Sequence, residues 1–167
     1  MPTIDISRHA DLAAVPAFML GSLEFGRNRL LAAMKDLTPE QLAKVPAGYG
    51  NSIATLALHI AATEVSFAHR IMGKPMTAEL EAEYPKHLAG TPLPAPAPET
   101  TAAELTARLE KSRGILAEAL AALSEADLAR EIPMGPDRSA TVGWMLAILL
   151  GHQSQHYGHI QMIAKLV

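Results

Sequence analysis

The sequence predicts an all-α fold, a four-helix bundle with a long crossover between its second and third helices. Hydrophobic residues make up 49% of the 167 residues but aromatic residues only 4%, a balance typical of helices that pack through Ala, Leu and Met. Apolar residues recur at three- and four-residue spacings in four long segments. A chain of this length can bury a core without disulfides, so residues 1–167 are interpreted as a single domain.

The first half of the chain predicts two long helices with a short helix between them. The first long helix covers residues 14–35, and the short one begins at a capping-box sequence with proline at its first position, residues 38–41. A glycine-containing turn follows. Asn51 or Ser52 then caps the second long helix, which continues to about Met72.

The middle of the chain predicts a crossover rather than a bundle helix. Residues 74–99 contain at most a short helix, near residues 78–83, and residues 91–98 alternate proline with other residues. Such a proline-rich segment is expected to be extended and semi-rigid, like a strap across the bundle.

The second half repeats the pattern of the first. Thr101 opens a capping box for the third long helix, which continues to about Leu123, and Ser124 caps a short successor. A turn is predicted at residues 133–138, and the last helix begins near Thr141 and runs to the chain end.

An internal repeat supports this layout. Residues 37–44 resemble residues 123–130, and each segment precedes a turn and then a histidine-bearing helix. Two such helical hairpins joined by a crossover form a four-helix bundle. A pseudo-twofold axis between them would place His59 opposite His152 and His156.

Three of the seven histidines lie in the last helix, at His152, His156 and His159. The spacing i, i+4, i+7 puts them on one helix face, in a stripe that includes Leu149 and Ile163. Buried imidazoles need partners for their ring nitrogens, and two imidazoles one turn apart can face a single cation. The pattern therefore indicates a metal site inside the bundle. A solvated helix face or a dimer seam is the alternative interpretation.

His59 occupies the second long helix, within a stripe of small polar residues that includes Thr55, Thr63 and Ser66. Considered alone, this stripe is typical of a solvent-exposed edge. Together with the histidines of the last helix, it becomes a candidate ligand surface. The chain has no cysteine, so any metal would be held by His, Asp or Glu. His69 and His87 are interpreted as surface residues.

Several motifs resemble the DinB/YfiT-like superfamily of metal-binding four-helix bundles. They are the segments at residues 51–53 and 58–60 and the residues Glu64, His152, His156 and Gly158. The resemblance extends over nearly the whole chain, including the crossover. It implies that His59, His152 and His156 bind one divalent metal.

Three further residues are predicted to support the metal ligands or to contact the substrate. The family commonly has glutamine at the position of His159, so His159 is predicted to support a ligand or contact the substrate. Glu64 and Gln155 are predicted to orient the ligand imidazoles, because metal-binding histidines usually donate their second ring N–H to such a group.

Three neutral imidazoles leave coordination positions open, as catalytic zinc sites require. Zinc is the expected metal, and nickel also suits imidazole. The resemblance implies a metal-dependent hydrolase or an S-transferase that uses a low-molecular-weight thiol. The nucleophile would be a metal-bound water or a thiolate supplied by the cofactor, since the chain has no cysteine. No side chain is assigned as the catalytic acid or base.

Net charge and the pattern of apolar residues limit the classes of binding partner. The net charge is −3 and no basic run occurs, which argues against nucleic-acid binding. The N-terminus does not follow a signal-peptide pattern and no apolar stretch reaches about 20 residues, so no membrane partner is expected and the default localisation is cytoplasmic. The expected partners are a small-molecule substrate and, as the resemblance implies, a second copy in a homodimer.

Three functional hypotheses are compatible with the sequence. The chain is a metal-dependent enzyme, a non-catalytic or stress-related metal-binding bundle, or a metal-free helical module that binds an apolar ligand or a partner helix. Metal content separates the third hypothesis from the first two, and turnover of a thiol adduct or hydrolysable substrate separates the first from the second.

Overall fold

Four long helices form a bundle in the computed structural model, which describes residues 9–87 and 91–167. They are α1 (Ala14–Met34), α3 (Ile53–Met72), α5 (Ala102–Ala121) and α6 (Val142–Ile163). Shorter elements lie between them: α2 (Pro39–Ala43), α4 (Ala78–Glu83), a 3-10 helix (Glu125–Ala129) and the strands β1 (Glu131–Pro133) and β2 (Ser139–Thr141). The predicted all-α fold and its long crossover are confirmed.

The helices begin and end where the sequence provides caps. In α2 the Thr38 hydroxyl accepts a hydrogen bond from the Gln41 backbone N–H, and the Gln41 side chain accepts one from the Thr38 N–H. Ser52, rather than Asn51, caps α3. Gly73 ends α3 at φ 66°, a left-handed conformation in which glycine avoids the steric penalty of a Cβ atom.

The core lies between α3 and its neighbours. Helix α3 packs against α5 and α6, and α1 packs against α6. The buried apolar side chains form two clusters. One contains Leu30, Ile53, Ile60, Leu109 and Ile160, and the other contains Leu23, Leu116, Leu120, Met145 and Leu149. Each cluster takes residues from all four long helices, as burial of one apolar stripe per helix requires.

The crossover is fastened to α5. Tyr84, just after α4, is fully buried, and its hydroxyl donates a hydrogen bond to the Arg108 carbonyl at 3.0 Å. Lys111 of α5 forms an ion pair with Glu83. These contacts fix the crossover just before Lys86 and His87, and His87 lies beside α3.

A small β-hairpin precedes α6 where the sequence predicts only a turn. β1 pairs with β2 in antiparallel register, with Ile132 opposite Ala140. Three-residue strands are too short to show a period-two pattern, and a proline within β1 argues against a strand in sequence. Among the described residues, none of the helices is both long enough and apolar enough to cross a membrane.

Candidate metal site

His59 on α3 and His152 and His156 on α6 form a histidine trio whose Nε2 atoms converge. The Nε2 atom of His152 lies 2.8 Å from that of His59 and 3.1 Å from that of His156. Packing of α3 against α6 brings these rings together, because the two α6 histidines are one turn apart and face His59. The structure thus juxtaposes the three residues that the sequence predicts as ligands.

Burial keeps the trio neutral. It lowers the pKa of His59 to about 4 and that of His152 to about 3, and neighbouring imidazoles add to both shifts. The pKa of His156 is lowered as well, first by burial and then by His159. All three imidazoles therefore carry a nitrogen lone pair near neutral pH, which is the form that binds metals.

The geometry fits a divalent cation. Three lone pairs aimed at one point repel one another unless a shared hydrogen or a cation lies between them. The opposite ring nitrogens, Nδ1 of His152 and of His156, are buried and make no hydrogen bond within the described structure. A cation at the Nε2 side would place the ring hydrogens on Nδ1 and satisfy all three lone pairs at once. The donor set, three imidazoles without a carboxylate, suits zinc or nickel.

His59 also forms part of the wall of a cavity of about 310 Å³, the α3 pocket. The described residues that line it are His59, Ala62, Thr63, Ser66, Phe67, Arg70, Lys86 and His87. Three residues of the polar stripe, His59, Thr63 and Ser66, therefore line this pocket, whereas Thr55 is buried. Of the trio, only His59 is among the described lining residues, so a small molecule in the pocket would approach the trio from the His59 side.

His87 is a neighbour of the trio that the sequence does not reveal. Its side chain is exposed, as predicted, but its ring lies edge-on to His59 with 5.7 Å between ring centroids. A contact of 2.9 Å between its Nε2 atom and the Thr91 carbonyl fixes the ring. The crossover brings this residue to α3, and nothing in the local sequence indicates that contact.

His159 lies next to the trio without joining it. Its ring centroid is 5.7 Å from that of His156. It lines a separate cavity of about 360 Å³ with Tyr49, Leu56 and Met162 among the wall residues. A supporting or substrate-contacting role for His159 stays a prediction.

The structure corrects the role predicted for Glu64. This side chain is fully buried, and its carboxylate accepts hydrogen bonds from Arg27 at 2.7 Å, Ser112 at 2.8 Å and Arg113 at 2.5 Å. Its oxygens thus accept hydrogen bonds from buried core side chains rather than from an imidazole. Glu64 is five positions after His59, which turns it about 140° around the helix.

Gln155 also does not contact a ligand imidazole, as the sequence predicted it would. It is exposed on α6, whereas Gln153 is buried, accepts a hydrogen bond from Arg113 at 3.2 Å and donates one to the Leu23 carbonyl at 3.4 Å. The sequence contains a signal for Gln153, because it shares the core-facing stripe of Leu149 and Ile160. Neither glutamine orients an imidazole in the described structure.

Comparisons with known proteins agree with this architecture. Residues 22–160 match the family model of the DinB superfamily. The crystal structure of a DinB-like protein from Bacillus cereus is similar at a TM-score of 0.64 and 21% sequence identity, over 89% of this chain and 90% of that one. This likeness establishes the fold. No curated protein matches the chain. Because the family match covers most of the sequence, the chain belongs to the DinB superfamily.

Proposed function

We propose that this protein is a metal-dependent enzyme that acts on a small molecule, as a hydrolase or a thiol-dependent S-transferase. The observation that carries the proposal is the convergence of three imidazole Nε2 atoms, with one of the three residues, His59, in the wall of a pocket. A structural metal site is normally closed by four protein ligands, whereas a catalytic site leaves a position for water or substrate. Among the described residues, only the trio forms a compact group of potential ligands.

His59, His152 and His156 would hold the ion, zinc or nickel. A divalent ion bound there would act as a Lewis acid that lowers the pKa of a water, polarises a carbonyl or holds a thiolate. The protein itself contributes neutral ligands, because burial keeps the imidazoles unprotonated at neutral pH. It also contributes a partly enclosed cavity beside His59, which positions a small substrate against the ligand set.

A thiol mechanism would take its sulfur from outside the chain, which contains no cysteine. Under the proposal, a low-molecular-weight thiol serves as cosubstrate. His87 in the α3 pocket and His159 beside His156 would contact substrate or cosubstrate rather than the ion, because their rings lie at the edges of the trio.

Elemental analysis of protein purified without an affinity tag tests the site. We expect about one zinc or nickel ion per chain, and loss of that ion in His59→Ala, His152→Ala and His156→Ala, since each substitution removes one of three ligands. His69→Ala is the matched control, because His69 is also on α3 but its ring contacts the Pro75 carbonyl. His159→Ala should retain the ion.

The result that contradicts the site is wild-type protein without stoichiometric metal, or a metal content that depends on His159 alone. Metal binding without turnover would favour a non-catalytic bundle. To separate these, the chelated and the reloaded protein are assayed for hydrolysis and for consumption of a low-molecular-weight thiol. The proposal expects activity only in the reloaded protein.

The proposal includes a homodimer. Exposed aromatic and aliphatic side chains lie on neighbouring helices, Val15, Phe18 and Phe25 on α1 and Trp144 and Ile148 on α6. Their spacing places each set on one face of its helix. Large apolar side chains grouped on a surface are typical of protein interfaces.

A further inference from the structure

We propose that the substrate of this site is a small organic anion, and that Arg70 and Lys86 bind its carboxylate or phosphate group in the α3 pocket. The inference rests on the proposed function and specifies its substrate class. Both cationic side chains line the same cavity as His59. An anion held by them would extend toward the histidine trio.

The charges around the pocket are unbalanced. Its described lining contains an arginine, a lysine and two imidazoles but no Asp or Glu. The chain as a whole is acidic, with a net charge of −3, so the lack of carboxylates among the described lining residues does not reflect overall composition. The Glu81 carboxylate that pairs with Lys86 is not among these lining residues. A concave surface with one sign of charge concentrates ligands of the opposite sign.

Both cationic side chains can donate further hydrogen bonds to a ligand. Arg70 uses Nη1 on the Pro133 carbonyl, at the long distance of 3.4 Å, and on the Met134 sulfur, at 3.7 Å, and a guanidinium has five N–H donors. Lys86 pairs with Glu81 at 2.8 Å, and each of the two side chains is about half exposed, at 50% and 51%. Such surface pairs contribute little energy and rearrange easily.

The rest of the lining suits the body of a small organic molecule. Phe67 and Ala62 provide apolar surface, and Thr63 and Ser66 provide hydroxyl groups. These residues lie on one face of α3 between His59 and Arg70, because they are spaced at three, four, seven and eight positions from His59. A volume of about 310 Å³ is at the lower end of ligand pockets, so the occupant is small.

In this pocket, binding of the anionic group and positioning of the reacting group would be carried out by different residues. The cations would hold the anionic group, and the reacting group would lie beside His59 in the same cavity. Binding energy from a non-reacting group can position the reacting one. Arg70 and Lys86 are thereby specificity-determining residues, and the metal ligands are not involved in anion binding.

Calorimetric titration of metal-free protein with inorganic phosphate and, separately, with succinate tests the inference. Removal of the metal by chelation excludes anion binding to an ion. We expect saturable binding of at least one probe, weakened about tenfold in Arg70→Gln and in Lys86→Gln, because each loses a charge-assisted hydrogen bond. The probe that binds more tightly identifies the preferred anionic group.

The controls are Lys35→Gln and Arg138→Gln, which change the net charge equally but lie outside the pocket. Lys35 pairs with Asp36 at the end of α1, and Arg138 lines a different cavity. These variants should bind the probe like wild type. Absence of saturable binding for both probes, or equal weakening in all four variants, would overturn the inference.

The metal measurement keeps the two proposals separable. Arg70→Gln and Lys86→Gln should carry the same metal content as wild type when purified in the same way. If wild type binds no metal, the proposed enzyme function fails, while the anion titration still decides the pocket. If metal is bound and the two pocket variants bind anions like the controls, only the anion inference fails.

Discussion

At the scale of single residues, burial keeps the imidazoles of the histidine trio neutral. The trio is partly buried, and burial is the first cause of each lowered pKa. A protonated imidazole would lose its hydration there and face two further rings. Below pH 6.5 the folded state therefore keeps these imidazoles neutral, whereas those of the unfolded chain become protonated.

This difference predicts acid-sensitive stability in metal-free protein. In the unfolded chain the imidazoles have their ordinary pKa of 6.5, whereas folded His59 and His152 have values of about 4 and about 3. Below pH 6.5 the unfolded state therefore binds protons that the folded state excludes. The contribution of these groups is fully present above that pH and is lost as the pH falls toward 4 and 3.

Urea unfolding in the presence of a chelator, at about pH 7 and about pH 5, measures the effect. We expect the free energy of unfolding to decrease between these conditions for wild type. The double variant His59→Gln, His152→Gln should show a smaller decrease, and His69→Gln should behave like wild type. An unchanged pH dependence in the double variant would contradict the assignment.

At the scale of secondary-structure elements, α6 serves two functions through two faces. One face carries His152 and His156, and the other carries Gln153 into a buried polar cluster. This cluster consists of Arg27 on α1, Glu64 on α3, Ser112 and Arg113 on α5, and Gln153 on α6. It lies between the two apolar clusters, and Arg27 also donates to the Leu109 carbonyl. Four helices are thus joined by directional hydrogen bonds at one level of the bundle.

Glu64 is the centre of that cluster. It is 0% exposed and is the carboxylate shared by Arg27 and Arg113, which are 5% and 9% exposed. Removing it would leave two buried guanidinium groups without a counter-charge. We expect Glu64→Ala to reduce the free energy of unfolding by about 3–5 kcal/mol, as measured for broken buried ion pairs.

Urea unfolding at neutral pH measures this change. Asp36→Ala is the control, because Asp36 pairs with Lys35 at 3.7 Å and its side chain is 85% exposed. A surface pair of this kind contributes about 0–1 kcal/mol. Equal effects of the two substitutions would show that Glu64 is not a central stabilising group.

At the scale of the whole molecule, the outer surface of α1 and α6 carries several exposed apolar side chains. Phe18 and Phe25 are 50% and 53% exposed, and Trp144 is 48% exposed. We expect the protein to be a homodimer that covers this surface. Size-exclusion chromatography with light scattering should give twice the chain mass of 17.8 kDa.

Charged substitutions locate the interface. The double variant Phe18→Glu, Phe25→Glu should be monomeric, because burying two carboxylates against a partner is strongly unfavourable. Val45→Glu is the control, since Val45 is similarly exposed, at 51%, but lies between α2 and α3. A wild-type monomer, or a double variant that stays dimeric, would contradict this assignment.

The bundle itself could be predicted because its signals are local. Capping boxes at Thr38 and Thr101 mark helix starts, and Gly73 marks an end. The short repeat around residues 37–44 and 123–130 also indicated how the halves are arranged. The β-hairpin was missed because three-residue strands are defined by their pairing rather than by their sequence.

The helices, the crossover and the stripe that places His152 and His156 on one face can be predicted from residue order alone, since each follows from residue spacing and capping within a single segment. The neighbours of those residues are defined by the packing of the folded chain. The Glu64 carboxylate accepts hydrogen bonds from two arginines instead of an imidazole. Gln153 rather than Gln155 lies in the core. His87, in the crossover, lies next to His59. These contacts join residues that are far apart in the chain, and their partners are set by helix rotation and packing, which no local pattern encodes.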